Sequence, residues 1–522
     1  MRARIQILAL GAMLGLSVLS PGAVVSSAAA APARMVRVRV EGIARTGQLV
    51  KLRFATITSA NGPPVFVVGS QAVSIRPGRY WVGAEVDAPR PNPSETLVLR
   101  SVRITRSETV LLDARPGKLV RFTLNVPGAA DQTDMVKACV GGSTDGGTSA
   151  SGAPGTVYAV PVRSRIITFG FGSFWQGTSA GYLIAGHRRG GVPSTPRFGG
   201  ALSAMARVSL EWRQGTNLDD VTNPNPIMAS NGPCGTGWFN LDLFAGSASA
   251  ITDYITGGRW AFQIFGSGPA SWSQNLRFAA GRRYARVFGG SVWGPSAQYA
   301  PQTQIHRILF WPAAPFADPS QRDGFYCCDK SSITLSFGGH VIKHEVLTSD
   351  AEGLFIARAA RVGWYTMAIR SWRSIPRVVI PAGLLSRTET VNWRFFARPT
   401  PQANPNDNQL ELPVRVAQIV ALGLNPDNQA AANGTTPLRI RFVEPHGRGF
   451  PRAPRYLVRT ARLLASFDGG KSWQAVPLTR HGSFWLATVH DPASGFVALR
   501  SIVTDSRGDR SEQTIYQAYA IG

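Results

Sequence analysis

The chain is poor in lysine, histidine, cysteine and long apolar runs, and each shortage narrows what it can be. Lysine stands only at 51, 118, 137, 330, 343 and 471, while Lys and Arg together number 55 against 30 acidic residues, so the formal charge of +25 is almost all arginine. No lysine-rich tail is present, nor any RNA-binding consensus or helix-turn-helix pattern, and no specific nucleic-acid binding is expected. The seven histidines are scattered and no C-x-x-C pairs with a second ligand cluster, which argues against a metal centre; no cofactor is expected either. Beyond the N-terminus no stretch of about 18 or more apolar residues follows, which argues against an integral membrane span.

Glycine (55) and proline (36) are plentiful, and short apolar runs recur between Gly, Pro, Asn and Asp with little helical period. That pattern predicts an all-β protein, and 522 residues suffice for several β-sandwich domains in tandem, each with its own core. Arg2 and Arg4, the apolar core from Ile5 to Leu19, Pro21-Gly22 and the small-residue tract Ser26 to Ala31 predict a signal peptide over 1–31 and hence export. An even number of cysteines in an exported chain favours disulfides. Of the three connectivities open to Cys139, Cys234, Cys327 and Cys328, outward bonds from the adjacent pair to Cys139 and Cys234 are expected, because a vicinal ring is strained.

From 35 to 126, segments such as VRVRVEG, LVKLRFATI and ETVLLDARPGKLVRFTL alternate apolar and polar residues as half-buried strands do, and Ser74 to Tyr80 looks like the Pro-Gly-x-Tyr lead-in of prealbumin-like sandwiches. Residues 127–156, with GGSTDGGTSASGAPGT, read as a Gly/Ser-rich linker. A central aromatic-rich β unit spans 157–317; its Trp and Tyr rings suit either a core or a carbohydrate-stacking face. A further sandwich with a hairpin through Gly338-Gly339 spans 318–399. The Pro- and Asn-rich junction PTPQANPNDNQ then separates it from a C-terminal immunoglobulin-like sandwich, 410–522.

That last unit carries the most specific local motif, Ser466-x-Asp468-x-Gly470-x-Ser472-Trp473. It places a short carboxylate where turn amides can donate to it, a glycine where positive φ is cheap, and a Trp to plug the hairpin base. The pattern matches the Asp box of sialidase-like propellers, but those repeat it once per blade and this chain shows it once, so it is read as a structural turn.

The segments RFAAGRRYARVFGGSVWGP, DPSQRDGFYCCDKSSITLSFGGHVI, GWYTMAIRSW with TETVNWRFFARP, and LLASFDGGKSWQAV to TDSRGDRSEQTIYQAYAIG together resemble, in order, the C-terminal non-catalytic region of large secreted actinobacterial subtilisin-like (S8) serine peptidases. The resemblance implies sandwiches without the peptidase domain. A subtilisin needs an Asp that orients a His and a His that takes the nucleophile's proton. Gly177-Thr178-Ser179-Ala180 resembles the family's nucleophile motif, yet no histidine precedes Ser179 and the Met-Ala continuation is missing. His187, Asp219-Asp220, Glu345, Asp350 and Glu352 read as surface or turn residues.

The expectation is therefore a secreted, non-catalytic, multidomain β protein serving as an accessory, adhesive or substrate-docking module of the cell envelope. The alternatives are a glycan-active hydrolase or degenerate subtilase-related peptidase, and a structural extracellular spacer. Arginine interspersed with apolar residues, as in MVRVRVEG and IRSWRSIPRVV, is the solvated face of a strand or a surface for an anionic cell-wall polymer or polysaccharide. A protein substrate or a separate protease is the other partner class.

Overall fold

The computed structural model describes residues 35–522 except 60–61, 70, 90–92, 142–146, 214–224, 231–233, 236–238, 241–249, 266–268, 289, 305, 313–314, 320–322, 327–328, 349–352, 374–384, 399–409 and 447–455. The signal-peptide region lies outside the described residues. Among them the regular structure is strand, apart from one 3-10 turn at Leu202–Ala204, as the sequence predicts for an all-β sandwich protein.

Alternation explains the first layers. In Val36–Ile43 the valines at 36, 38 and 40 are buried and Arg37 and Arg39 exposed, so each Val contributes roughly 1.5–3 kcal/mol of apolar burial while each arginine stays in water. This strand pairs antiparallel with Leu49–Val50 and Val73–Ile75 and parallel with Glu108–Asp113, forming sheet I. Sheet II runs in the order Val65–Val68, Phe54–Thr58, Gly78–Ala88, Ser94–Ile104, Val157–Ala159, Lys118–Leu119. Val82, Ala84, Val86 and Val98 face sheet I, whereas Leu97 and Leu99 point the other way into a second core with Val136, Ala138, Ile167 and Phe169.

Those last residues belong to the seven-stranded sheet III, ordered Gly147–Gly152, Ala130–Val140, Val162–Gln176, Gly181–Val192, Ala250–Thr256, Met205–Trp212, Arg283–Phe288. The expected linker at 127–156 is thus corrected: two strands of sheet III lie inside it. Between Gly147 and Gly152 small residues serve close packing. Ala150 is fully buried, and the Thr148 hydroxyl meets that of Thr56 across the two sheets at 2.8 Å. The opposite face of sheet III buries Phe174, Leu183, Val208 and Ile255 against Trp260, Phe262, Leu276 and Phe278 of sheet IV, ordered Phe239–Asn240, Asn225–Ser230, Gly258–Phe265, Pro269–Phe278, Asp323–Tyr326.

The C-terminal half is built on sheet VI, ordered His340–Thr348, Asp329–Phe337, Gly363–Arg373, Thr388–Ala397, Arg510–Ile521, Gly495–Asp505, Val458–Ser466, Gln474–Val476, with Gln429–Ala430 beside Arg510–Ile521. Gly338 and Gly339, both at positive φ, make the hairpin between the first two strands of that order. One face of sheet VI is covered over Ile333, Met367, Trp393 and Phe395 by sheet V (Phe355–Arg358, Arg307–Phe310, Gln302–Gln304, Leu410–Glu411). The same face, over Leu463, Leu499 and Ile515, is covered by sheet VII (Val416–Ala421, Thr435–Val443, Phe484–His490, Thr479–His481).

Pairing crosses each expected boundary. Val157–Ala159 joins sheet II, Asp323–Tyr326 adds to sheet IV, and Thr388–Ala397 hydrogen-bonds along Arg510–Ile521 from Thr388↔Tyr516 to Arg394↔Arg510. The units on either side of the 399–409 junction therefore share one sheet, which corrects their reading as separate sandwiches. The disulfide pairing also differs from expectation. Cys139 bonds Cys234, so neither bonds Cys327 or Cys328, which lie outside the described residues. The reason is proximity: Gly170, opposite Lys137 on the neighbouring strand, leaves room for the Cys234 backbone carbonyl to press against sheet III next to Cys139.

Candidate binding cleft on the nine-stranded sheet

Strands Val458–Ser466 and Gln474–Val476 pair through Leu463↔Val476 and Ala465↔Gln474, and the Asp468 motif closes the turn between them. Asp468 Oδ1 accepts from the Lys471 and Ser472 amides, both at 2.9 Å, and from Ser466 Oγ at 2.7 Å; Oδ2 accepts from Ser472 Oγ at 2.5 Å. Ser466 Oγ in turn accepts from the Gly470 amide at 2.9 Å, and Trp473 Nε1 donates to the Gly470 carbonyl at 3.0 Å. Donation from Ser472, by hydroxyl and amide, followed by that from Ser466, holds the Asp468 carboxyl well below the usual carboxylate range. With its oxygens committed to the turn, this carboxylate shapes the loop.

What the hairpin shapes is a cleft. Period-two alternation sends Ile369, Leu499 and Ile515 inward, so Arg370, Tyr516 and Arg500 project from the uncovered face of sheet VI. There a cleft of about 570 Å³ is lined by Arg370, Arg387, Phe467, Phe496, Tyr516 and Gln517, with Gly469 and Gly495 at its edge. Phe496 is 40% exposed. Gly470 sits at φ +91°, and a Cβ there would come within 2.9 Å of the Tyr516 ring. Two non-glycine residues beside the cleft also hold left-handed backbone, Ser386 at φ 54° and Gln517 at φ 52°, joined by a 2.7 Å bond from the Ser386 amide to the Gln517 carbonyl. Such conformations cost on the order of 1–3 kcal/mol each, and here they lie at one place.

The rest of this face has the same chemistry. The Arg394 guanidinium lies 4.1 Å from the Trp364 ring centre, Arg500 4.1 Å from Trp473, and Arg507 4.8 Å from Phe396. Glu512 is neutralised by Arg510 at 2.9 Å and Arg500 at 3.8 Å. The cleft thus combines guanidinium groups, which match carboxylates in paired geometry, with rings that offer an apolar platform.

The other sequence candidates do not converge. Ser179 is exposed in the hairpin turn where the Gly177 amide donates to the Ala180 carbonyl, and His187 stands six residues along the strand from Gly181, about 20 Å away. Glu345 pairs with Lys343 at 2.9 Å, and Asp219, Asp220, Asp350 and Glu352 lie outside the described residues. Trp311 of the central unit is 37% exposed and meets Tyr299 edge-on at 5.1 Å, whereas the large rings on and against sheet III pack inward. Phe169, Trp260 and Phe262 are fully buried and Tyr182 stacks on Tyr254 at 5.3 Å, because sheet III is covered on both sides.

The sequence reading passed over two buried carboxyl pairs. Burial, then the charge of Glu95, pushes Glu85 up to about 9, and Glu95 also accepts the Ser151 amide at 3.0 Å. Burial, then the charge of Asp131, raises Asp134 to about 7, with Ser173 Oγ donating to Asp131 at 3.1 Å. Neither pair lines the cleft. Among the described residues no group of three or more His, Cys, Asp or Glu side chains could hold a metal ion, and no helix is long and apolar enough to cross a membrane.

No family model matches the chain, and no curated protein does. The resemblance to the subtilisin-like peptidase region thus gains no support from either. Among solved structures, the TIE protein of Bacillus anthracis aligns at 6% identity and a TM-score of 0.12, over 49% of this chain and 50% of its own, so the chain spans half of that protein. The major pilin subunit of Bacillus cereus aligns at 11% identity and 0.13, over 49% and 99%. A Salmonella alpha-2-macroglobulin aligns at 8% and 0.18, over 90% and 37%. At such TM-scores none of them assigns a function.

Proposed function

We propose that the chain is an exported, non-catalytic β protein that docks on an acidic polysaccharide of the cell envelope through the cleft on sheet VI. The observation that carries this reading is the meeting of Arg370 and Arg387 with the rings of Phe467, Phe496 and Tyr516 around one 570 Å³ cleft. A uronate residue has both parts such a cleft takes: a carboxylate for the guanidinium groups and a sugar face for the rings. Export is supported by the N-terminal signal pattern and by the buried Cys139–Cys234 disulfide, which persists in oxidising compartments.

Calorimetric titration with tetragalacturonate tests the proposal. Arg370→Gln removes a charge-assisted hydrogen bond, of the order of 1.5–3 kcal/mol, so affinity should fall by about tenfold or more. Phe496→Ala should weaken tetragalacturonate but leave inorganic polyphosphate, which has no sugar face, unchanged. Equal affinity of the Arg370→Gln variant and the parent chain for tetragalacturonate would sink the proposal and leave the structural-spacer reading in its place.

A further inference from the structure

The outer face of sheet VII carries a second basic concavity. Leu438 and Ile440 enter the core shared with Leu463, Leu499 and Ile515 of sheet VI, so Arg439 and Arg441, between and beyond them on the same strand, point out of the opposite side of the sandwich. Both are exposed. They stand about 6.7 Å apart along the strand, with Val420 and Gln418 as their respective cross-strand neighbours. Together with Pro319, Ser483 and Phe484 these residues line a cleft of about 300 Å³, with no acidic side chain in its lining among the described residues. His481 stacks on Phe484 at 6.0 Å and extends the platform.

The two clefts have the same chemistry, a guanidinium pair beside an aromatic ring, and they face in opposite directions across two packed sheets. Sheets stack about 10 Å apart, so with side chains on both outer faces the clefts are roughly 20 Å from one another through the protein. A single stiff polymer strand cannot lie in both without wrapping around the domain. We infer that the C-terminal half binds two strands of acidic polysaccharide at once, one on sheet VI and one through Arg439 and Arg441 on sheet VII, and so cross-links them. This rests on the docking proposed above and adds to it a second site and a consequence for the polymer.

The experiment uses the full chain with two probes, tetragalacturonate for stoichiometry and long polygalacturonate for cross-linking, the latter read by dynamic light scattering. The parent chain should bind two tetragalacturonates, and with polygalacturonate it should form clusters whose size peaks at an intermediate ratio and falls in polymer excess. Arg439→Gln/Arg441→Gln should bind one tetragalacturonate and lose the clusters. Arg37→Gln/Arg39→Gln, which removes the same charge from a distant exposed strand face, should behave like the parent. Unaltered circular dichroism confirms that each variant is folded.

Clusters that persist in Arg439→Gln/Arg441→Gln as in the charge-matched control would overturn the inference, as would a stoichiometry of one in the parent chain. If that single site is lost in Arg370→Gln, docking on sheet VI stands and only the bridging falls. If it is lost in Arg439→Gln/Arg441→Gln and kept in Arg370→Gln, the sheet VI reading falls with it.

Discussion

Replacing both Cys139 and Cys234 by serine should lower the melting temperature of the central unit by a large and calculable amount. The bond closes a loop of 95 residues and both cysteines are fully buried. Loop-closure entropy, 2.1 + 1.5R ln n cal/mol/K, then gives about 4.7 kcal/mol of stabilisation at 25 °C. A unit of this size shifts by roughly 2–4 °C per kcal/mol, so the expected fall is about 9–19 °C. Differential scanning calorimetry under non-reducing conditions reads it directly, and the parent chain in reductant should melt with the double variant. A fall of less than about 2 °C in Cys139→Ser/Cys234→Ser would refute the reasoning, since it would mean that the segment around Cys234 is held to sheet III by its packing and not by the cross-link.

Three further outcomes follow from the geometry. Trp393 is 1% exposed, donates to the Arg415 carbonyl at 3.0 Å and packs edge-on to Phe310 at 5.5 Å, so Trp393→Ala should cost about 3–5 kcal/mol in guanidinium unfolding. Gly470→Ala should cost roughly 1–2 kcal/mol, because its φ of +91° is left-handed and the new Cβ meets Tyr516; faster hydrogen exchange at the Lys471 and Ser472 amides would report the loosened turn. Burial raises Glu85 to about 9 and both Asp134 and Asp253 to about 7, so the folded state holds these protons more tightly than the unfolded chain. Their stabilisation is complete below the ordinary carboxylate range and is lost as pH rises through 7 and then 9. The melting temperature should therefore fall between pH 5 and pH 9, less steeply in Glu85→Gln, and a rise over that window would contradict the assignment.

The strands themselves were legible because alternation is local: VRVRVEG buries its valines and exposes Arg37 and Arg39 as period two requires. The glycine pair at 338 and 339 likewise gave its hairpin away, and the Asp468 turn could be read atom by atom from residue types. Long-range pairing left no such trace. PTPQANPNDNQ has the composition of a boundary, yet nothing within it reports that Thr388–Ala397 finds its partner beyond residue 509. GTSASG, from Gly147 to Gly152, misled for a related reason, since small side chains suit a loose linker and two closely packed sheets equally well. The cleft was the least visible feature. The fragment IRSWR offered an arginine among apolar residues, but Arg370, Phe467, Phe496 and Tyr516 meet only once sheet VI is assembled.

That assembly has a consequence for how the chain can be made or taken apart. The strand Arg510–Ile521 lies in the interior of sheet VI, bonded to Gly495–Asp505 on one side and to Thr388–Ala397 on the other, with the Phe396 amide held by Asp509 across 113 residues of sequence. A polypeptide emerging N-terminus first from the ribosome presents Thr388–Ala397 as an open edge until the segment near 510 emerges, and an open edge can pair with whatever strand is nearest. The stretch before residue 399, cut away from Arg510–Ile521, would therefore leave the edge of Thr388–Ala397 unpaired.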